Sequence, residues 1–154
     1  MTAKLLKLLT TIGFVLTATL APVQADPTAG LTFNEITAEQ VGSYYDTHSK
    51  KNRYSKEMRI NILRSATIGK RMMTASFIRK GIPETLAKDF GEKIRLIYII
   101  MAVGHYDLLL KTKGKLVADM AFTANFRKVT DKSLVRQTVY MFQLLLNKQT
   151  AEGN

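Results

Sequence analysis

The chain has 154 residues, with 23 lysines and arginines against 12 acidic residues, a formal net charge of +11, and neither cysteine nor tryptophan. That length suits one compact domain, burying roughly two-thirds of the surface its unfolded chain exposes. The lack of cysteine excludes a disulfide framework, a thiolate metal site, a Cys nucleophile and a lipobox.

Residues 1–25 read as a cleaved secretory signal peptide. Lys4 and Lys7 give a positive start, 8–21 form a nearly uncharged apolar run, and Val23-Gln24-Ala25 supplies small residues for cleavage before Asp26. The expected location is therefore the periplasm of a Gram-negative cell, or the exterior, where nucleic acid is not an expected partner. No later segment reaches the roughly 20 apolar residues of a membrane span, so none is expected in the mature chain.

Residues 26–36 carry Pro27, Gly30 and no periodicity, and read as a flexible lead-in. Thr37 with Gln40 forms a capping box that opens a helix over about 38–46, with Val41, Tyr44 and Tyr45 at helical spacing. After a polar, basic stretch, Ser55 caps a second helix with Glu57 in its first turn, running to a stop at Gly81. Ile62, Ala66, Met73 and Phe77 share its inner face; Ile60, Ile68 and Ile78 lie off it, and Gly69 is a possible kink.

Pro83 and Glu84 mark a third start, with Gly91 either ending that helix or lying within it. From 92 to 113 the chain is apolar on nearly every side, as a central helix of a bundle should be. Gly114 closes it among Lys111, Lys113 and Lys115. Val117, Met120, Ala121 and Ala124 predict a further helix, and Thr130 or Asp131 caps the last, with a stripe of Val135, Val139, Phe142 and Leu146. Residues 150–154 are expected to fray. No strand alternation or internal repeat intervenes, so the predicted fold is all-α: a single bundle of about five helices over 37–149.

Chemical signatures are sparse. His48 neighbours Lys50 and Lys51 near a helix end, and His105 and Asp107 are i, i+2 neighbours pointing to different sides of a helix. With no His–carboxylate pair at i, i+3 or i, i+4, the sequence nominates no metal ligand, no cofactor and no catalytic residue. Glu84 with Lys88, Asp89 with Lys93 and Asp107 with Lys111 have the acid-first spacing of helical ion pairs, while Glu35, Glu39, Asp46 and Asp119 have no local explanation. Motifs for a nucleophile elbow, a phosphate loop and a zinc protease are absent.

The strongest positive feature is charge. Lys50, Lys51, Arg53, Lys56, Arg59, Arg64, Lys70, Arg71, Arg79 and Lys80 face a single acid, Glu57, while the rest of the mature chain is close to balanced. Either this run is a solvated face or it grips an anionic partner. The second reading makes the chain a non-enzymatic binding or accessory protein of the bacterial envelope. It docks on an acidic protein or anionic envelope polymer through Lys50, Lys51, Arg53, Lys56 and Arg59, with Tyr54 as aromatic anchor. The alternative is a carrier of an apolar ligand in a Leu-, Ile- and Met-rich bundle; a hydrolase of an envelope polymer ranks behind both.

Overall fold

The computed structural model describes residues 30–152, so the leader read over 1–25 lies outside the described residues. They form an all-α bundle of five helices: α1 (Ala38–Lys51), α2 (Lys56–Arg79), α3 (Glu84–Lys113), α4 (Lys115–Phe122) and α5 (Thr130–Glu152). Among the described residues no helix is long and apolar enough to cross a membrane.

The central helix is α3, 30 residues and about 45 Å long, and it packs against all four others. Ile94, Leu96 to Val103 and Tyr106 are buried, which explains why its sequence is apolar all round. It runs unbroken through Gly91. There the absent side chain lets α2 approach: a Cβ on Gly91 would stand 2.0 Å from Thr74 Oγ1 and 3.2 Å from Lys70 O. Pro83 precedes the helix as its N-cap, where its carbonyl accepts the Ala87 N–H at 2.9 Å.

Helix starts follow the local rules. Ser55 accepts the Met58 N–H at 3.1 Å. Thr37 accepts the Gln40 N–H at 3.3 Å, but the box is half made: the Gln40 side chain meets the Thr37 hydroxyl, while the Thr37 N–H goes to Glu35 O. The end of α2 is a Schellman turn, in which Gly81 (φ +84°) donates to Ile78 O and Ile82 donates to Phe77 O. Gly69 produces no break in α2.

Three expectations need correcting. First, α1 runs to Lys51, beyond the predicted stop at 46, because its closing turn is built without glycine. Arg53 takes the left-handed position (φ +53°), its N–H bonding Lys50 O and that of Tyr54 bonding Ser49 O, which is the Schellman pattern again. Second, the lead-in is packed from its described part onward. Phe33 and Ile36 are buried, and Phe33 meets the rings of Phe90 and Phe142. Lys93 holds this segment by donating to Phe33 O and Ile36 O at 2.7 Å each, so it does not form the expected pair with Asp89.

Third, two helical faces are turned from their predicted orientation. In α5, Val135 is 40% exposed and Leu134, Thr138, Met141 and Leu145 join Val139, Phe142 and Leu146 inside. In α4, Ala118 and Phe122 are buried, while Val117 and Met120 face out. Asp131 sits in the first turn of α5, but its carboxylate accepts the Tyr98 hydroxyl.

Candidate functional site

Helices α1 and α3 both end at one pole of the bundle, where the α1–α2 and α3–α4 turns meet. A polar network joins them. Asn52 Nδ2 donates to Asp107 Oδ1 at 2.7 Å, and His48 Nδ1 lies 2.8 Å from Asp107 Oδ2, a close polar contact rather than an aligned hydrogen bond. The expected Asp107–Lys111 pair is therefore replaced by a bridge between helices, and among the described residues no carboxylate lies within ion-pair distance of Lys111.

Next to it, the Tyr106 hydroxyl donates to Asp119 Oδ1 at 2.8 Å, and Lys115 Nζ lies 2.9 Å from Asp119 Oδ2 and 3.5 Å from Asn52 O. The hydrogen bond to Asp119, followed by that to Tyr106, raises the Lys115 pKa, while burial and the bond to Asp119 raise that of Tyr106. Both aspartates thus turn inward onto donors. Asp119, which has no local explanation in the sequence, here positions Tyr106 and Lys115.

The lysines and arginines of the same pole point the other way. Lys50, Lys51, Arg53 and Lys56 are exposed, as are Lys111 and Lys113. Among the described residues none of these six has a carboxylate within ion-pair distance. Arg59 is half-buried near Tyr45, whose pKa burial raises against the opposing charge of Arg59. Lys70, counted in the same basic run, is used internally, bridging to Glu92 of α3 at 2.6 Å.

The proposed anchor, Tyr54, is not at the surface. It is 6% exposed, its ring packs on Tyr45 and Tyr106, and burial raises the pKa of its hydroxyl. The reason is its place in the closing turn of α1: the residue after the left-handed position of a Schellman turn folds back onto the helix it ends. The structure therefore keeps the exposed cations of this region together and removes the tyrosine from them. It also adds Lys111 and Lys113, some 60 residues away in sequence, which only the crossing of α1 and α3 brings close.

His105 packs on Phe122, and burial lowers its pKa. Among the described residues no three of His, Asp and Glu are grouped as a metal would need. Two open grooves lie where residues 30–37 cross the bundle. One is about 430 Å³ and contains Phe33, Leu86, Lys93 and Leu96; the other is about 200 Å³ and contains Leu31, Val41, Tyr44 and Ile100. Neither contains a residue of the basic pole. Comparison with known protein families, curated proteins and solved structures gave no match to this chain.

Proposed function

We propose that the chain is an exported, non-enzymatic binding protein of the bacterial envelope, holding an anionic partner against its basic pole through Lys50, Lys51, Arg53 and Lys56, with Lys111 and Lys113 beside them. The observation that carries this reading is Arg53. A non-glycine residue in the left-handed region costs roughly 1 kcal/mol or more, and glycine would close the turn without that cost. A cation kept in that conformation, among unpaired cations, fits a residue retained for what it contacts. Helix ends account for part of the charge, since lysines complement the negative C-termini of α1 and α3. They do not account for Arg53 or for Lys56 at the start of α2, where the dipole disfavours a cation.

The test is co-sedimentation of the protein with envelope fragments of its host. The wild-type protein is expected to pellet at low ionic strength and to be released near 0.15 M salt, where the Debye length is about 8 Å. Lys50→Glu/Lys51→Glu/Lys56→Glu should stay in the supernatant with an unchanged helical spectrum, the charge reversals at the end of α1 and the start of α2 partly offsetting each other and moving the melting temperature by only a few degrees. Equal sedimentation of the two proteins would reduce the basic run to a solvated face.

A further inference from the structure

Beside the basic pole, α4 presents an apolar face to solvent. Leu116 is 74% exposed, Met120 55% and Val117 44%, whereas Ala118 and Phe122 on the opposite side fill the core. The helix is thus apolar on both sides, although one side is wet. Scattered exposed apolar residues are ordinary; three on one side of an eight-residue helix are a patch.

The charges around the patch limit what can cover it. Lys111 and Lys113 precede α4, and Arg127 and Lys128 follow it, all exposed and, among the described residues, without a carboxylate within ion-pair distance. The acid on the helix itself, Asp119, is neutralised by Lys115 and the Tyr106 hydroxyl. Asn61 Nδ2 on α2 donates to Phe122 O at 2.9 Å, fixing the end of α4 against the basic helix, where Ile60 is 51% exposed.

An apolar helical face with cations at both ends has the composition of a helix lying in the interface of an anionic bilayer. The apolar side chains enter the acyl boundary, and long basic side chains reach back to headgroup phosphates. A protein partner would be expected to use aromatic anchors, and the tyrosine of this pole is turned inward. We infer that α4 is a peripheral membrane-docking helix, inserting Leu116, Val117 and Met120 into a bilayer of anionic phospholipid while the surrounding lysines and arginines hold the headgroups. This inference rests on the anionic-partner reading above and names the partner.

The absence of tryptophan from the chain supplies a local probe. Leu116→Trp places a single reporter on the exposed face of α4, and Thr85→Trp, exposed at the start of α3, serves as a control. With phosphatidylglycerol vesicles the emission of the first should shift to the blue and that of the second should not. Phosphatidylcholine vesicles should shift neither. Each lysine near an anionic surface is worth about a fivefold gain in partitioning, so Lys111→Glu/Lys113→Glu should weaken the response at least about twentyfold.

Three outcomes would overturn the inference: no shift with phosphatidylglycerol, an equal shift with soluble polyglutamate, or blue emission before lipid is added, which would mean a second copy of the chain covers the patch. If the triple reversal of Lys50, Lys51 and Lys56 abolishes envelope sedimentation while the α4 probe stays in water, the lipid inference fails and the anionic-partner reading stands. If neither responds, both fail.

Discussion

Substituting Gly91 by alanine tests a close approach of α2 and α3. The new Cβ would lie 2.0 Å from Thr74 Oγ1, 3.3 Å from Thr74 Cβ and 3.2 Å from Lys70 O. The first distance is impossible, and the other two require the helices to give by a few tenths of an ångström. Among the described residues no hydrogen-bond partner reaches the buried Thr74 Oγ1, and the β-branched side chain has few rotamers to which it can retreat in a helix. Overpacking of this kind costs about 1–3 kcal/mol. Alanine recovers about 1 kcal/mol of helix propensity, leaving a net loss of about 1 kcal/mol. In a Thr74→Ala background the hydroxyl is gone, and the same change at Gly91 should be neutral or stabilising. The cycle predicts a favourable coupling of about 1–2 kcal/mol, within the usual range for side chains in contact. Chemical denaturation gives these values directly, and the melting temperature should move by about 4 °C per kcal/mol for a domain of this size. If Gly91→Ala raises stability equally in both backgrounds, the packing argument is wrong.

Four further outcomes follow from particular residues. The hydrogen bond from Arg95, with those from Lys70 and despite partial burial, holds Glu92 down at about 2 from 4.5; its stabilisation is complete above the unfolded value and is lost as pH falls from about 4.5 to 2. Glu92→Gln should flatten the stability–pH curve in that window and leave its slope above pH 5 unchanged. Leu134→Asp, fully buried, should unfold the domain or cost several kcal/mol, whereas Val135→Asp one position away should change stability by less than about 0.5 kcal/mol in urea titrations. Among the described residues no hydrogen bond of good geometry reaches the buried Tyr54 hydroxyl, with Asn52 its polar neighbour, so Tyr54→Phe should leave both thermal stability and envelope sedimentation near wild type. Arg53→Gly should raise stability by about 1 kcal/mol while weakening sedimentation; a loss of stability would show that the left-handed turn is not strained.

What the sequence by itself determined was local. Ser55, Pro83 and Gly81 mark helix boundaries because caps and stops satisfy backbone groups within a single turn, and every partner in that exchange lies within five residues. The uninterrupted apolar character of 92–113 likewise identified the central helix, since a helix buried on all sides must be apolar on all sides. The stop of α1 escaped notice because its left-handed residue is arginine where the local rule expects glycine.

Which face of a helix is inside depends on neighbours far away in the chain, and there local periodicity was insufficient. Val135 and Leu134 are equally apolar, and only the packing of α5 on α3 decides between them. Val117 and Met120 look like core residues until the tight turn at Gly114 aims Ala118 and Phe122 inward. Asp107 had a plausible partner four residues on, yet Asn52 and His48, from a different helix, hold it. The basic pole arose in the same way: the first four of its cations were visible as a run, but Lys111 and Lys113 joined them only because α1 and α3 end together, a long-range geometry that no local spacing encodes.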